Sequence, residues 1–265
     1  MTNSFFSSDK FSSRHNSISD EDKKEMIKSI GVKSLDDLID RTLPDPIKLN
    51  SDLNLKGPKT ESEFLYDFRK LIQKNKNFKS YIGLGYYNCI TPNVIKRNIF
   101  ENPGWYTAYT PYQAEIAQGR LEALINYQTM VTDLTGMEIS NASLLDESTA
   151  AAEAMTMLFR IRKKSQMESN KFFVSDKIYP QSIEVLKTRS NPLGIELIVG
   201  DVKNFDYSSK YFGIILQSPD SDGNVFDLSS IIKKSKNSSI SVAVISDLMS
   251  LAVFQPPGEL GADVV

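Results

Sequence analysis

Four apolar runs in the second half of the chain constrain its fold most strongly. They are KFFVS at 171–175, IELIV at 195–199, FGIILQ at 212–217 and ISVAVIS at 240–246. Helical or turn-forming segments separate the runs, and continuous apolar strands alternating with helices are typical of a parallel sheet that is buried on both faces. The closing segment GADVV, at 261–265, predicts a further strand. The pattern therefore predicts an α/β fold, with a mostly parallel sheet and flanking helices.

The first part of the chain predicts a helical arm. Capping patterns predict helices from Ser19 to Gly31, from Ser34 to Ile39 and from Thr60 to about Lys74. Residues 43–59 contain several prolines, glycines and asparagines and predict an extended connector. A short helix near 92–100 is expected between ordered loops, because the six tyrosines and the tryptophan around it are costly to leave solvated.

Two longer helices are predicted before the first strand. Residues 113–135 carry apolar side chains at helical spacing, among them Ile116, Leu124 and Val131. A second helix is expected from Glu147 to Arg162, with Asp146 or Ser148 as its cap. Its first turns consist almost entirely of small residues, so another part of the backbone can lie close against them.

Composition argues against several classes of protein. The 31 basic and 33 acidic residues give a net charge of −2, which provides no attraction to nucleic acid or to an anionic membrane. One cysteine, Cys89, excludes a disulfide within the chain. His15 has no cysteine or second histidine beside it, so no metal site is expected. No apolar run approaches the roughly 18 residues of a membrane span.

Three regions are expected along the chain. Residues 1–17 predict a flexible lead-in, 18–110 the helical arm with ordered loops, and 111–265 an incomplete large α/β domain. The Ser-rich N-terminus lacks the contiguous apolar stretch of a secretory signal. A cytoplasmic protein of bacterial type is therefore expected, or a mitochondrial one if the source is eukaryotic.

Specific segments carry a resemblance to a known family. YTPYQAEIAQGRLEAL begins at Tyr109 and NASLLDESTAAAEA ends at Ala154, and both resemble the P-protein of the glycine cleavage system. The opening FSSRHNSISDEDKKEMIKSIG and the closing ISDLMSLAVFQPPGELGADVV also resemble that family. One departure lies after Arg14 and His15, where Asn16 and Ser17 replace the family's usual Ile-Gly.

The resemblance implies the aminotransferase-like fold of pyridoxal 5'-phosphate (PLP) enzymes, called fold type I, truncated here at the C-terminus. It implies a glycine dehydrogenase (decarboxylating), an oxidoreductase acting on a CH–NH₂ group with a disulfide acceptor. Such an enzyme removes the carboxyl group of glycine and transfers the aminomethyl group to the lipoyl group of H-protein. The PLP lysine of the family lies in the C-terminal half, so no catalytic residue is expected in this chain, which alone should be inactive.

The family also implies partners. These are lipoylated H-protein, T-protein and L-protein as members of the same system, the C-terminal half of P-protein, and a second copy in a dimer. Two other classes stay open: a non-catalytic scaffold half that supports a catalytic partner, and an unrelated small-molecule binding domain of the same fold.

Two loops supply candidate residues near the substrate and cofactor. Tyr86, Tyr87 and Asn88 lie in a glycine-bounded loop, where they line an active site or serve as hydrogen-bonded packing residues. Tyr109, Tyr112 and Gln113 precede the long helix. They orient a carboxylate or a cofactor edge, or they form a proline-fixed turn with a cap.

Three further positions are expected to be vestigial. In PLP enzymes of this fold, backbone amides at a helix start such as Ser148 and Thr149 hold the cofactor phosphate. An aspartate at the place of Asp247 pairs with the pyridine nitrogen there. Because the resemblance is to the half without the lysine, these three residues are predicted to keep the positions without the function.

Overall fold

The computed structural model describes residues 18–49, 51, 53–107, 113, 115–208 and 210–265. The predicted lead-in at 1–17 lies outside the described residues, as do Tyr109 and Tyr112. The chain forms two compact units, of which one ends at Lys79 and the other begins at Ser80. The division into 1–17, 18–110 and 111–265 stays a prediction about domains.

In its described residues, the first unit contains three α-helices and one 3₁₀ turn. They are α1 (Asp20–Ile30), α2 (Leu35–Thr42), the 3₁₀ helix Asp45–Ile47, and α3 (Glu61–Ile72). Reciprocal capping boxes start α1 and α3, the second between Thr60 and Glu63, and Gly31 ends α1 with φ 79. These termini confirm the predicted caps. However, α2 continues to Thr42, past the predicted end at Ile39.

The second unit begins with ordered loops and short helices. These are α4 (Asn93–Ile95), which continues as a π-helical turn over Lys96–Phe100, and α5 (Pro103–Tyr106). The long helices α6 (Gln118–Thr135) and α7 (Glu147–Arg160) follow. Later come α8 (Pro180–Ser190) and α9 (Ser229–Asn237).

A four-stranded parallel sheet forms the centre of this unit. Its strands are β1 (Lys171–Ser175), β2 (Glu196–Gly200), β3 (Tyr211–Ser218) and β4 (Ser241–Ser246), in the order β2-β1-β3-β4. Every neighbouring pair is parallel, which confirms the predicted sheet. The carboxyl ends of all four strands therefore lie at one edge, where ligand sites of open α/β sheets occur.

Helices cover both faces of the sheet. On one face, Met155 and Leu158 of α7 pack with Phe172 and Phe212. On the other, Ile232 of α9 packs with the other side chains of β1, β3 and β4. The strand contact is close at Gly213, where an added Cβ would lie 2.6 Å from Cε2 of Phe172. Alternate side chains thus fill two separate apolar layers.

Three predicted elements have different bounds in the structure. The predicted helix start at Gln113 is wrong, because the N–H groups of Ile116 and Ala117 both donate to the Gln113 carbonyl in a turn, and α6 begins only at Gln118. Likewise α7 ends at Arg160, short of the predicted Arg162. The predicted strand GADVV is a single parallel bridge between Ala243 and Val264, since the chain turns tightly until Gly261, whose φ is 99.

Among the residues that the structure describes, no helix combines the length and the apolar character that crossing a bilayer requires.

Candidate active site edge at the start of α7 and α8

The start of α7 is fixed by its own cap. Asp146 precedes the helix with extended backbone, and its Oδ1 accepts a hydrogen bond from the backbone N–H of Thr149 at 2.8 Å. Thr149 Oγ1 lies 2.9 Å from the same carboxylate oxygen. These bonds hold the pKa of Asp146 below its usual range. The helix start therefore already carries a bound carboxylate, supplied by the chain itself.

The turn from β1 into α8 places Tyr179 beside this helix start. The backbone N–H of Tyr179 donates to Oε1 of Gln217 on β3 at 3.1 Å, and Nε2 of Gln217 donates to the carbonyl of Pro219 at 3.2 Å. Gln217 is only 3% exposed, so its amide holds the turn from inside the protein. Ser182, one turn into α8, shares a 2.9 Å hydrogen bond with Ser148 of α7.

The glycine-bounded loop lies against Tyr179. Gly83, Leu84 and Gly85 have left-handed backbone, with φ of 66, 55 and 86. A Cβ on Gly85 would lie 3.1 Å from Cε2 of Tyr179, so glycine allows this approach without a shift of the ring or the loop. Nε2 of Gln181 donates to the carbonyl of Leu84 at 2.8 Å and holds the loop on the first turn of α8.

A tyrosine pair and two carboxylates meet at this point. Burial, followed by a hydrogen bond with Tyr87, raises the pKa of Tyr179 to about 12, and the charges of Glu147 and Asp247 add to the effect. Glu147 is exposed along part of its surface, yet desolvation, followed by the charges of Asp247 and Asp146, raises its pKa. The phenol of Tyr179 therefore stays protonated at neutral pH and acts as a neutral hydrogen-bond donor or acceptor.

The start of α7 does not suit a phosphate group. Its N–H groups are capped by Asp146, and the hydroxyls of Ser148 and Thr149 are hydrogen-bonded within the chain. The carboxylates of Asp247 and Asp146 raise the pKa of Glu147, and those of Glu147 and Asp247 add to the raised pKa of Tyr179. A phosphate dianion would meet repulsion at this end. The residues present therefore do not fit PLP at this position.

The structure brings some of the predicted site residues together. Tyr87 and Asp247 both act on Tyr179, and Ser148 lies one residue from Glu147. Tyr86 is exposed, as are Asn88 and Gln113, and none of the three makes a described contact with the cluster. Tyr109 and Tyr112 lie outside the described residues.

Sequence reasoning missed four residues of this site: Glu147, Tyr179, Gln181 and Gln217. Tyr179 had a usable signal, since it directly precedes a proline that starts a helix after a buried strand. Gln217 had one as well, because an amide within the apolar run FGIILQ must find a partner inside the protein.

Comparison with known proteins decides the family. The profile of the family described as "Glycine cleavage system P-protein" matches residues 13–265. This chain belongs to the glycine cleavage system P-protein family. The match covers nearly the whole sequence and confirms the resemblance found in its motifs.

Bacterial relatives support the assignment. The chain is 54% identical over 259 residues to a glycine dehydrogenase (decarboxylating) of Christiangramia forsetii and 56% identical over 259 residues to that of Flavobacterium johnsoniae. A relative in Nostoc sp. has 52% identity over 254 residues. These alignments cover 97%, 97% and 96% of this chain, but only 27%, 27% and 26% of the relatives. The chain thus spans about a quarter of their length.

A solved structure confirms the fold. A crystal structure of glycine decarboxylase (P-protein) of the glycine cleavage system, in inhibitor-bound form, matches with a TM-score of 0.81 and 30% sequence identity. The match covers 93% of this chain and 56% of that chain. The α/β architecture with its parallel sheet is therefore the architecture of the P-protein family.

Proposed function

We propose that this chain forms part of a PLP-dependent glycine decarboxylase, which transfers the aminomethyl group of glycine to the lipoyl group of H-protein. The observation that carries the proposal is membership of the P-protein family over residues 13–265. The tyrosine pair at the carboxyl edge of the sheet supports it, because open α/β folds place their reactive groups at this edge.

The cofactor and its lysine come, in this proposal, from the C-terminal half of P-protein. The start of α7 supports this division, since carboxylates rather than cations surround it. PLP, when bound, supplies an electron sink for the departure of carbon dioxide. Ser148, Thr149 and Asp247 keep the positions of cofactor contacts without that role.

Tyr87 orients the substrate at this edge. It acts on the pKa of Tyr179, and the turn beginning at Gly83 fixes the backbone that leads to it. Tyr87 remains 68% exposed, so a ligand can reach it. A tyrosine hydroxyl can donate a hydrogen bond to the carboxylate of glycine. Tyr86 and Asn88 flank Tyr87, and Tyr109, Tyr112 and Gln113 stay candidates for the same edge.

The proposed partners follow from the proposed reaction. Lipoylated H-protein accepts the aminomethyl group, T-protein and L-protein complete the system, and the C-terminal half of P-protein completes the site. We also propose a dimer and a location in the cytoplasm of a bacterium.

A scaffold function is the second candidate. The poor fit of the α7 start to a phosphate favours it, because a half that holds no cofactor can act as a support for a partner that does. In that case Tyr87 and Tyr179 would be packing residues, and the partner would carry the whole reaction.

Exchange of carbon between glycine and bicarbonate distinguishes the two. The 265-residue chain is mixed with PLP, lipoylated H-protein and the part of the Flavobacterium johnsoniae relative that follows the matched segment. Exchange is expected only when both protein parts are present. Exchange by the chain alone would disprove the proposal that the lysine comes from elsewhere.

Two tyrosine variants test whether Tyr87 contributes to the reaction or the chain only supports its partner. Tyr87→Phe should lower the exchange by about tenfold, the loss of one useful hydrogen bond of about 1.4 kcal/mol. Tyr81→Phe is the matched control, because Tyr81 lies near the same loop and is 88% exposed. If both variants exchange at the full rate while the two parts still associate in analytical ultracentrifugation, the chain is a scaffold.

A further inference from the structure

A second crevice opens at the carboxyl edge of the sheet, on the face that α9 covers. Residues that follow three adjacent strands line it: Ser175 ends β1, Asp201 follows β2, and Asp220 follows β3. From β1 the chain passes to β2 on one side, while β3 lies on the other, so the crevice stands where the strand order reverses. Ligands of open α/β sheets bind in crevices at such points.

The size and walls of the crevice suit a small organic molecule. Its volume of about 700 Å³ lies within the range of small-molecule sites. One wall is the connection after β2, with Val202 and Tyr207, and the other is the first turn of α9, with Ile231. Tyr207 and Phe226 provide two aromatic side chains on which a ring can pack.

Two of the carboxylates that line this crevice, Asp201 and Asp220, accept hydrogen bonds from the chain itself. Although burial opposes it, hydrogen bonds from Asn224 and from the N–H of Asp222 hold the pKa of Asp220 below its usual range. Oδ1 of Asp201 accepts from the N–H of Lys203 at 2.9 Å. Asp176 also lines the crevice and is exposed at its mouth. Its carboxylate accepts no hydrogen bond from the described part of the chain.

Of the three lysines that line the crevice, one forms an ion pair with a described residue. Lys177 pairs with Asp222 at 2.7 Å, whereas Lys203 and Lys234 form no ion pair with any described residue. Nζ of Lys234 lies 5.7 Å from the centre of the Tyr207 ring. Two lysines without an ion pair in the described part of the chain therefore line the crevice together with Tyr207 and Phe226, and the ammonium group of Lys234 lies near the Tyr207 ring. This arrangement favours an anionic group attached to a ring.

We propose that this crevice binds a small organic anion that joins a phosphate to an aromatic ring. Lys203 and Lys234 bind the phosphate, and Tyr207 and Phe226 pack against the ring. The site is separate from the tyrosine pair, since Tyr87, Tyr179 and Glu147 take no part in its lining. The proposal therefore does not rest on the proposed decarboxylase function.

Isothermal titration of the 265-residue chain with phenyl phosphate tests the proposal. Phenol and inorganic phosphate are titrated separately, and both should bind at least tenfold more weakly than phenyl phosphate. Lys203→Gln and Lys234→Gln should each weaken phenyl phosphate binding by about tenfold, the effect of one charge-assisted hydrogen bond. Lys187→Gln is the control, because Lys187 is an exposed lysine of α8 that pairs with Glu184 at 2.7 Å.

Three results would overturn the proposal. They are no saturable binding of phenyl phosphate to the wild type, equal binding of phosphate and phenyl phosphate, and unchanged binding in the Lys203→Gln/Lys234→Gln double variant. All three lysines lie on the surface, and circular dichroism of each variant verifies that the fold is intact.

Discussion

The substitution Gly85→Ala should weaken the interaction between Tyr87 and Tyr179. Gly85 has φ 86, and a Cβ there would lie 3.1 Å from Cε2 of Tyr179. The left-handed backbone costs an L-residue about 1–2 kcal/mol, and the tight contact adds about 1 kcal/mol or more. Relief of the second cost requires the loop and Tyr179 to move apart by a few tenths of an ångström, which should weaken the interaction of Tyr179 with Tyr87.

The same loop provides a matched control. Gly83 has φ 66, but a Cβ there would meet nothing within 4 Å. Gly83→Ala therefore places an L-residue in left-handed backbone but creates no close contact with Tyr179. Gly85→Ala should lower the free energy of unfolding by about 1 kcal/mol more than Gly83→Ala does, measured by urea denaturation.

The pKa of Tyr179 gives the local measurement. Titration followed by NMR of ¹³C-labelled tyrosine should give about 12 in the wild type and remain there in Gly83→Ala. In Gly85→Ala the pKa should fall toward the ordinary value of 10.0, without reaching it if burial persists. The raised pKa contributes stability that is complete below pH 10 and lost as the pH rises toward 12, so Gly85→Ala should lose less stability across that window.

One result would refute this reasoning. If the two alanine variants have the same stability and the same Tyr179 pKa, the contact between the loop and Tyr179 does not hold the pair together.

Three further substitutions test other contacts. Gln217→Leu removes the buried acceptor for the N–H that precedes α8, and should lower the free energy of unfolding by about 1–3 kcal/mol in urea denaturation. Gly258→Ala places a Cβ 2.4 Å from the carbonyl oxygen of Gly136, and should cost about 2 kcal/mol or more because backbone cannot rotate away. Asp247→Asn should lower the pKa of Glu147 in an NMR titration, because a nearby negative charge is lost while burial remains.

Gln217→Leu and Gly258→Ala each have a control in this chain. Gln181→Leu loses only a hydrogen bond near the surface and should cost less than Gln217→Leu. At Gly119, in α6, a Cβ would meet nothing, so alanine there should be neutral or slightly stabilising. An unchanged pKa of Glu147 in Asp247→Asn would mean that the two carboxylates do not interact.

Local signals in the sequence predicted much of this fold. The caps at Ser19, Thr60 and Asp146 start helices in the structure, because a capping bond joins residues only three positions apart. The apolar runs became four parallel strands, since a sheet buried on both faces requires them. The start of α6 was not predictable in this way, because apolar spacing alone does not show that the N–H groups of Ile116 and Ala117 donate to the Gln113 carbonyl.

The candidate site was predicted only in part, for a related reason. The sequence by itself determined the P-protein family, the helix caps and the parallel strands, because each depends on neighbouring residues or on a contiguous motif. Tertiary structure alone decided that the loop at Gly85 lies on Tyr179 and that Gln181 reaches Leu84, 97 positions away. Such contacts depend on packing between elements, and no periodicity along the chain records which elements meet.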